Sequence, residues 1–155
     1  MHYAAEQPYP GLLTSLASKM DVRIRDPQGY SPIHYAAQAG HVKNLQILLA
    51  RYARLVDLET LDGATPLYVA VQNKQDEAVF YLLSRGANPN CKMAQGMSAL
   101  MCAIHRRPVA IAVKLALHPR LDLNDCLDDQ TTPLQLAVEV EKMFKGRRLC
   151  RLLES

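Results

Sequence analysis

Apolar residues along the chain are spaced as they are on short helices that bury one face. Leu45, Leu48 and Leu49 stand three and four residues apart, which places them on one side of a helix. Small residues precede this stripe at Ala36 and Ala37, and small side chains allow a neighbouring helix to pack closely. The pattern therefore predicts pairs of short helices, the first with a small-residue face and the second with a leucine stripe.

This arrangement recurs with a fixed period. The positions 29, 63, 96 and 130, which hold Gly, Gly, Gly and Gln, are 34, 33 and 34 residues apart. A serine or threonine stands two residues after each, where it is a good helix N-cap, and in three copies a proline follows at the first helical position. The predicted caps are Ser31, Thr65, Ser98 and Thr132, and the prolines are Pro32, Pro66 and Pro133.

The repeated unit resembles the ankyrin repeat. Asp26–Ala37 and Thr60–Val71 both contain Ser/Thr-Pro followed by an apolar residue, and Gly86–Asn90 matches the closing Gly-Ala-Asp-x-Asn turn of that family. The residues His2–Ala5 repeat His34–Ala37 at an offset of 32, so the pattern begins inside a unit. Whether the chain is part of a longer array is left open.

The resemblance implies an all-α ankyrin-repeat solenoid of stacked helix-turn-helix units with short β-turn fingers. Neither helix of a unit can bury its apolar face alone, so stability is expected from the contacts between neighbouring units. We expect a single domain over 1–155, consisting of units at 1–25 (truncated), 26–59, 60–92, 93–126 and 127–155 (C-terminal cap).

One position departs from the family pattern. Ankyrin repeats usually have glycine after the first helix, and Gly40 fits, but Lys74, Arg107 and Glu141 take that place in the later units. A left-handed backbone there costs a non-glycine residue about 1 kcal/mol. We therefore expect backbone strain at these three positions.

Composition and charge exclude several classes of function. The 155 residues are 49% apolar and 21% charged, as in ordinary globular domains, and 18 Lys and Arg against 15 Asp and Glu give a net charge of +3. This charge is too small and too interspersed for a nucleic-acid or membrane-surface binder. No stretch is apolar over the roughly 20 residues of a membrane span, and the N-terminus lacks the features of a secretory signal. We expect a monomer inside the cell, in the cytoplasm, the nucleus or both.

Catalytic and metal-binding patterns are absent from the sequence. The four cysteines form no Cys-x-x-Cys pair, and we expect them to be reduced thiols. No phosphate-binding loop, nucleophile elbow or His-Glu-x-x-His pattern occurs. His34 matches the family's histidine that bonds backbone and hydroxyl groups between repeats. The sequence predicts a non-enzymatic protein with no catalytic residues, cofactor or metal.

The resemblance implies that the chain is an adaptor or scaffold that binds a partner protein. In ankyrin stacks the turn tips and the exposed side of each first helix form a concave face. We expect Tyr30, Leu61 and Met97 to be apolar anchors there, with Asp62, Arg106 and Asp129 setting the charge preference. The positions mapped to this face are Gln28, Tyr30, Gln38, Leu61, Asp62, Gln72, Asn73, Gln95, Met97, His105, Arg106, Asp128 and Asp129.

Two more specific functions are left open. The stretch Leu149–Leu152 faintly resembles an elongin-binding box, which would make the chain a substrate-recruiting subunit of a ubiquitin ligase. Inhibitory ankyrin proteins also exist, and a chain of that kind would bind a transcription factor and mask its import segment. The basic stretch Lys142–Arg151 is expected to be a solvated cap, with nuclear import or phosphate contact as alternatives.

Overall fold

Paired helices make up most of the described structure. The computed structural model of the chain describes residues 1–19, 21–93, 96–106 and 108–122, together with Thr132 and Gln135. The paired helices are α1 His2–Glu6 and α2 Pro10–Lys19, α3 Pro32–Ala39 and α4 Val42–Arg51, α5 Pro66–Gln72 and α6 Asp76–Ser84, and α7 Ala99–Arg106 and α8 Val109–Ala116. A short 3-10 helix, Ala53–Asp57, follows α4.

The helix pairs stack in two layers. The first helices pack in the order α1, α3, α5 and α7, and the second helices pack in the order α2, α4, α6 and α8. Within the described ranges there is no β-strand, and an isolated antiparallel bridge joins Lys92 and Ser98 at a turn. This is the all-α stack of helix-turn-helix units that the repeat predicts. None of the described helices is long and apolar enough to cross a membrane.

The predicted caps lie at the starts of the first helices. The hydroxyl oxygens of Thr65 and Ser98 accept bonds from the backbone N–H groups three residues later, each at 3.3 Å. Thr132 does the same to the N–H of Gln135 at 3.2 Å, and the Gln135 side chain accepts the Thr132 N–H at 2.8 Å. This reciprocal pair is a capping box, which satisfies two backbone donors at once.

The core follows the predicted division between small and large residues. Leu48, Leu49, Leu82 and Leu83 on the second helices are at most 7% exposed. The alanines of the first helices are buried almost completely, which allows successive first helices to approach closely. These alanines are Ala4, Ala5, Ala36, Ala37, Ala70 and Ala103.

The turn after the first helix is left-handed in two units. Gly40 has φ 74°, and Lys74 at the corresponding place has φ 57°. Lys74 is the single non-glycine residue with positive φ among the described residues. The backbone strain predicted at Lys74 is therefore present, whereas Arg107 and Glu141 lie outside the described residues.

The thiols that the structure describes are unpaired. Cys91 is partly buried and Cys102 is buried, and both are free. Cys126, Cys150 and the whole basic C-terminal stretch lie outside the described residues, so the predictions made for them stay predictions.

Candidate protein-interaction face

Hydrogen bonds fix the first turn tip, at residues 26–30. The backbone closes on itself through bonds from Gly29 N to Asp26 O and from Asp26 N to Tyr30 O, both at 2.9 Å. The carboxylate of Asp26 also accepts the backbone N–H groups of Gln28 and Tyr30, at 2.9 and 2.8 Å. The exposed Gln28 is thus carried on a turn that has little freedom to change shape.

The second tip has the same backbone pattern. Thr60 N donates to Ala64 O at 3.0 Å, and the Thr60 hydroxyl accepts the Ala64 N–H at the same distance. Leu61 and Asp62 stand exposed at the apex of this turn, and Leu61 is 74% exposed. A large apolar side chain is therefore presented to solvent on a closed turn.

The first and second tips touch through their main chains. Leu61 N donates to Gln28 O at 3.2 Å. Gly29 lies in this contact with φ 83°, and a Cβ atom at that position would stand 2.6 Å from Leu61 N. Position 29 therefore requires glycine for two reasons, its left-handed backbone and the close approach of the next turn.

The three expected anchors differ in exposure. Leu61 is exposed, whereas Tyr30 and Met97 are half-buried and pack against the core. The Tyr30 ring lies 5.5 Å from the ring of His34 and 5.8 Å from that of Tyr35, measured between ring centres. Leu61 is thus left free by the fold, whereas Tyr30 and Met97 also pack within the stack.

The remaining described positions of the face lie at the ends of the first helices. Gln38, Asn73, His105 and Arg106 are exposed, and Gln72 is partly exposed. Asn73 ends α5, and its side-chain amide donates to Val69 O at 2.9 Å. Gln95, Asp128 and Asp129 lie outside the described residues.

His34 is a structural residue. Its Nε2 lies 2.8 Å from Leu58 O and 3.2 Å from Ala64 O, so Nε2 carries the proton and donates, while Nδ1 accepts the Ser31 N–H at 3.1 Å. Burial lowers the pKa of His34 to about 4, which keeps the ring neutral at pH 7. The predicted role in bonding neighbouring units is confirmed.

Asp26 and Tyr35 are coupled beside the first tip. The Tyr35 hydroxyl donates to the second carboxylate oxygen of Asp26 at 2.5 Å, and this bond raises the pKa of Tyr35 to about 12. Burial raises the pKa of Asp26, but the bonds from Tyr35 and from two backbone N–H groups outweigh it, so that the pKa is lowered overall. Asp26 is therefore an anion at neutral pH.

Sequence reasoning missed a set of bonds between units. Asp57 accepts the Asn88 N–H at 2.8 Å, and Asn90, one repeat later, accepts the Asp122 N–H at 2.9 Å and donates to Arg120 O at 2.7 Å. The recurrence of Asp57 and Asn90 at an offset of 33 was the available signal. Asn44 was also missed; its buried amide donates to Ala5 O and Gln7 O at 2.9 and 2.8 Å.

The described part of the chain contains no metal-binding site. No group of three or more His, Cys, Asp and Glu side chains there is arranged to hold a metal ion. The face consists of amide, charged and apolar side chains on closed turns and helix ends, which is an arrangement suited to contact with another macromolecule.

Comparison with known proteins decides the family. The family described as "Ankyrin repeats (3 copies)" matches residues 1–93. The chain belongs to the ankyrin-repeat family. Ankyrin repeats mediate protein–protein interactions and are generally non-catalytic.

Two relatives of this ankyrin chain align over most of its length. It is 31% identical over 144 residues to the B-cell lymphoma 3 protein homolog of Mus musculus, covering 88% of this chain and 32% of the relative. It is 30% identical over 120 residues to the Nuclear factor NF-kappa-B p105 subunit of Mus musculus, covering 76% of this chain and 12% of the relative.

A third relative shares a shorter segment with the ankyrin chain. The human transient receptor potential cation channel subfamily A member 1 is 36% identical over 94 residues, which cover 59% of this chain and 8% of the channel. The chain thus spans a third or less of the length of each of these three relatives.

Proposed function

We propose that the chain is a non-catalytic adaptor that binds a segment of a partner protein through the face formed by its turn tips and first-helix ends. We call this surface the tip face. The observation that carries the proposal is the exposed Leu61 on a turn that the main chain holds closed. We further propose that the chain acts inside the cell as a monomer and requires no cofactor.

Leu61 suits the role of an anchor because its position is set before a partner arrives. Its N–H is held by Gln28 O, so little backbone freedom remains to be lost on binding. A leucine that is 74% exposed also has most of its apolar surface left to bury. Burying this surface against a partner would add favourable hydrophobic free energy at little cost in backbone order.

Polar side chains on the tip face supply selectivity. Asp62 stands beside Leu61, and the helix ends add the amides of Gln72 and Asn73 and the cation of Arg106. Charged groups at the rim of an interface contribute to partner choice and association rate more than to affinity. The tip face thus combines an apolar contact with groups that discriminate between partners.

The test compares two exposed leucines. Leu61→Ser removes the proposed anchor, and Leu117→Ser removes a leucine that is 68% exposed at the end of α8, outside the tip face. Partners are captured from cell lysate on each variant and on the unaltered chain and are quantified by mass spectrometry. We expect Leu61→Ser alone to reduce a specific set of partners at unchanged thermal stability. Equal capture by both variants would remove the tip face as the binding site.

A second candidate is binding to a transcription factor with masking of its import segment. The similarity to a protein named as a subunit of nuclear factor NF-kappa-B supports it. Calorimetric titration of the chain with an NF-κB subunit, with and without its import segment, tests this function. Binding that requires the import segment would support the candidate, and absence of binding to either form would contradict it.

A further inference from the structure

Cations recur at one position of the second helices. The helices α2, α4 and α6 begin at residues 10, 42 and 76, and the tenth positions from these starts hold Lys19, Arg51 and Arg85. All three residues are exposed. Because the second helices pack in the order α2, α4 and α6, these cations follow one another along the edge at which the helices end. We call Lys19, Arg51 and Arg85 the basic column.

The positive charge of the basic column is not cancelled by its surroundings. The last two turns of α2, α4 and α6 contain no aspartate or glutamate, and none of the three cations forms an ion pair within the described ranges. The connections that follow, residues 20–31, 52–65 and 86–98, hold four cations and five anions, so the edge stays positive in sum. A helix C-terminus carries only about half a negative elementary charge, which is less than the charge of one cation.

Tyr52 brings cations of two units together at this edge. Its ring is 37% exposed at the end of α4, and the guanidinium carbons of Arg23 and Arg51 lie 5.7 and 5.9 Å from its centre. Arg23 follows α2 in the chain and Arg51 ends α4. Guanidinium groups from two successive units are therefore gathered around one exposed ring.

The spacing of the basic column suits an extended peptide. Packed helices lie about 8 to 10 Å apart, and three residues of an extended chain span about the same distance at about 3.3 Å per residue. A peptide with an acidic residue at every third position would thus bring one carboxylate to each unit. Arginine binds a carboxylate through two parallel N–H···O bonds, so Arg51 and Arg85 are suited to this contact.

The same spacing favours a peptide over a nucleic acid. A nucleic-acid strand carries a phosphate about every 3.4 Å along the helix axis, which is roughly three times the density of cations in the column. The connection after α4 also holds Asp57, Glu59 and Asp62, which would repel a continuous row of phosphates.

We propose that the basic column binds an extended acidic segment of a partner protein, with aspartate or glutamate at intervals of three residues. The column belongs to the layer of second helices, whereas the tip face consists of turn tips and first-helix residues. The chain therefore has two separate surfaces, and an adaptor of this kind can hold two segments at once.

The test uses designed peptides with the whole chain. The spaced peptide consists of four Glu-Thr-Thr units, in which threonine favours an extended backbone. The contiguous peptide has the same composition with its four glutamates in a row, and the lysine peptide has lysine in place of each glutamate. A thymidine pentanucleotide with four phosphates represents nucleic acid. Each probe carries fluorescein, and affinity is measured by fluorescence anisotropy at low ionic strength, where exposed charges are least screened.

Three double variants are compared with the unaltered chain. Arg51→Gln with Arg85→Gln removes two cations of the column, and Arg51→Glu with Arg85→Glu reverses their charge. Lys43→Gln with Lys74→Gln is the control, because it removes two exposed cations outside the column and gives the same net charge as the first variant. All four residues are exposed, and thermal melting checks that each variant is folded.

We expect the unaltered chain to bind the spaced peptide more tightly than the contiguous peptide. The glutamine variant of the column should bind the spaced peptide about five- to tenfold more weakly, and the lysine control should stay within about twofold of the unaltered chain. The charge-reversed variant should bind the lysine peptide instead. Equal affinity for the two acidic peptides, equal losses in the glutamine variant and the control, tighter binding of the pentanucleotide, or no binding would each overturn the inference.

Discussion

The α3–α4 pair and the α5–α6 pair are equivalent units of the repeat, but different side chains stabilise them. In the first pair the buried His34 bonds two carbonyl groups, and Gly40 makes the left-handed turn. In the second pair the buried Tyr68 takes the place of the histidine, and Lys74 makes the turn.

The difference teaches which parts of an ankyrin unit are interchangeable. The helix start needs a hydroxyl cap and the turn needs a positive φ, and both pairs meet these needs. The side chain at the third helical position contributes differently in the two pairs, since the His34 ring is hydrogen-bonded to two carbonyl groups whereas Tyr68 contributes its buried ring. The α3–α4 pair should therefore be the better stabilised of the two.

The largest expected effect is the loss of the histidine. His34→Ala removes the ring donor of the Leu58 carbonyl and one of the two donors to the Ala64 carbonyl, and it opens a cavity, so we expect a loss of about 3 to 4 kcal/mol in the free energy of unfolding. Tyr68→Phe, which removes one hydroxyl, should cost about 1 kcal/mol or less. Urea denaturation measures both, and equal losses would contradict the comparison.

The next effect is a pH dependence that belongs to His34. The folded-state pKa of about 4 is below the ordinary 6.5, so the unfolded chain binds more protons between these values. The stabilisation that neutral His34 contributes is complete above pH 6.5. As the pH falls towards 4, the free energy of unfolding decreases by about 3 kcal/mol.

His34→Gln isolates this pH dependence. Glutamine does not titrate, and Gln135 in the last unit shows that it can form the capping box with its cap residue. Urea denaturation of both proteins at several pH values should give a difference that narrows from pH 7 to pH 4. Parallel profiles would show that another group is responsible.

A smaller effect is expected at the turn of the α3–α4 pair. Gly40→Ala places a Cβ against the Gln75 side-chain oxygen in a left-handed backbone, and the Gln75 side chain must leave its bond to Gln38 O. We expect a loss of about 1 to 2 kcal/mol. Gly11→Ala in α2 is the control, because nothing lies within 4 Å of its Cβ and alanine favours the helix. Thermal melting separates the two, and similar destabilisation would contradict the account.

The smallest effect has the opposite sign. Lys74→Gly relieves the strained φ of 57° and should stabilise the chain by about 1 kcal/mol or less. The same substitution at Lys43, inside α4, should destabilise by about 1 kcal/mol because glycine is a poor helix former. A Lys74→Gly protein that melts at a lower temperature than the unaltered chain would show that the lysine side chain stabilises this turn.

The repeat made much of this fold predictable. The period, the cap residues, the small-residue first helices and the left-handed turn at Lys74 all follow from local rules about single residues. The half-burial of Tyr30 and Met97 was not predictable in this way, because it depends on how far neighbouring units shield a turn position. The bond between Tyr35 and Asp26 likewise depends on side-chain direction rather than on spacing.

The sequence predicted where the tip face lies, but it did not predict all of the residues there. Mapping by repeat position found Leu61 and Asp62, which are exposed at a tip. It left out Tyr35, whose ring lies 5.8 Å from the ring of Tyr30 on the first tip. A pattern describes which positions correspond, whereas exposure and charge depend on the packed structure.

The contact between the first two tips fixes the distance between them. Gly29 is packed against Leu61, and the bond from Leu61 N to Gln28 O joins the two turns through main-chain atoms that every residue type except proline possesses. The separation of the two apices is therefore independent of the side chains that they carry. Substitutions at positions 28, 61 and 62 can therefore change which partner is recognised while the distance between the two tips stays the same.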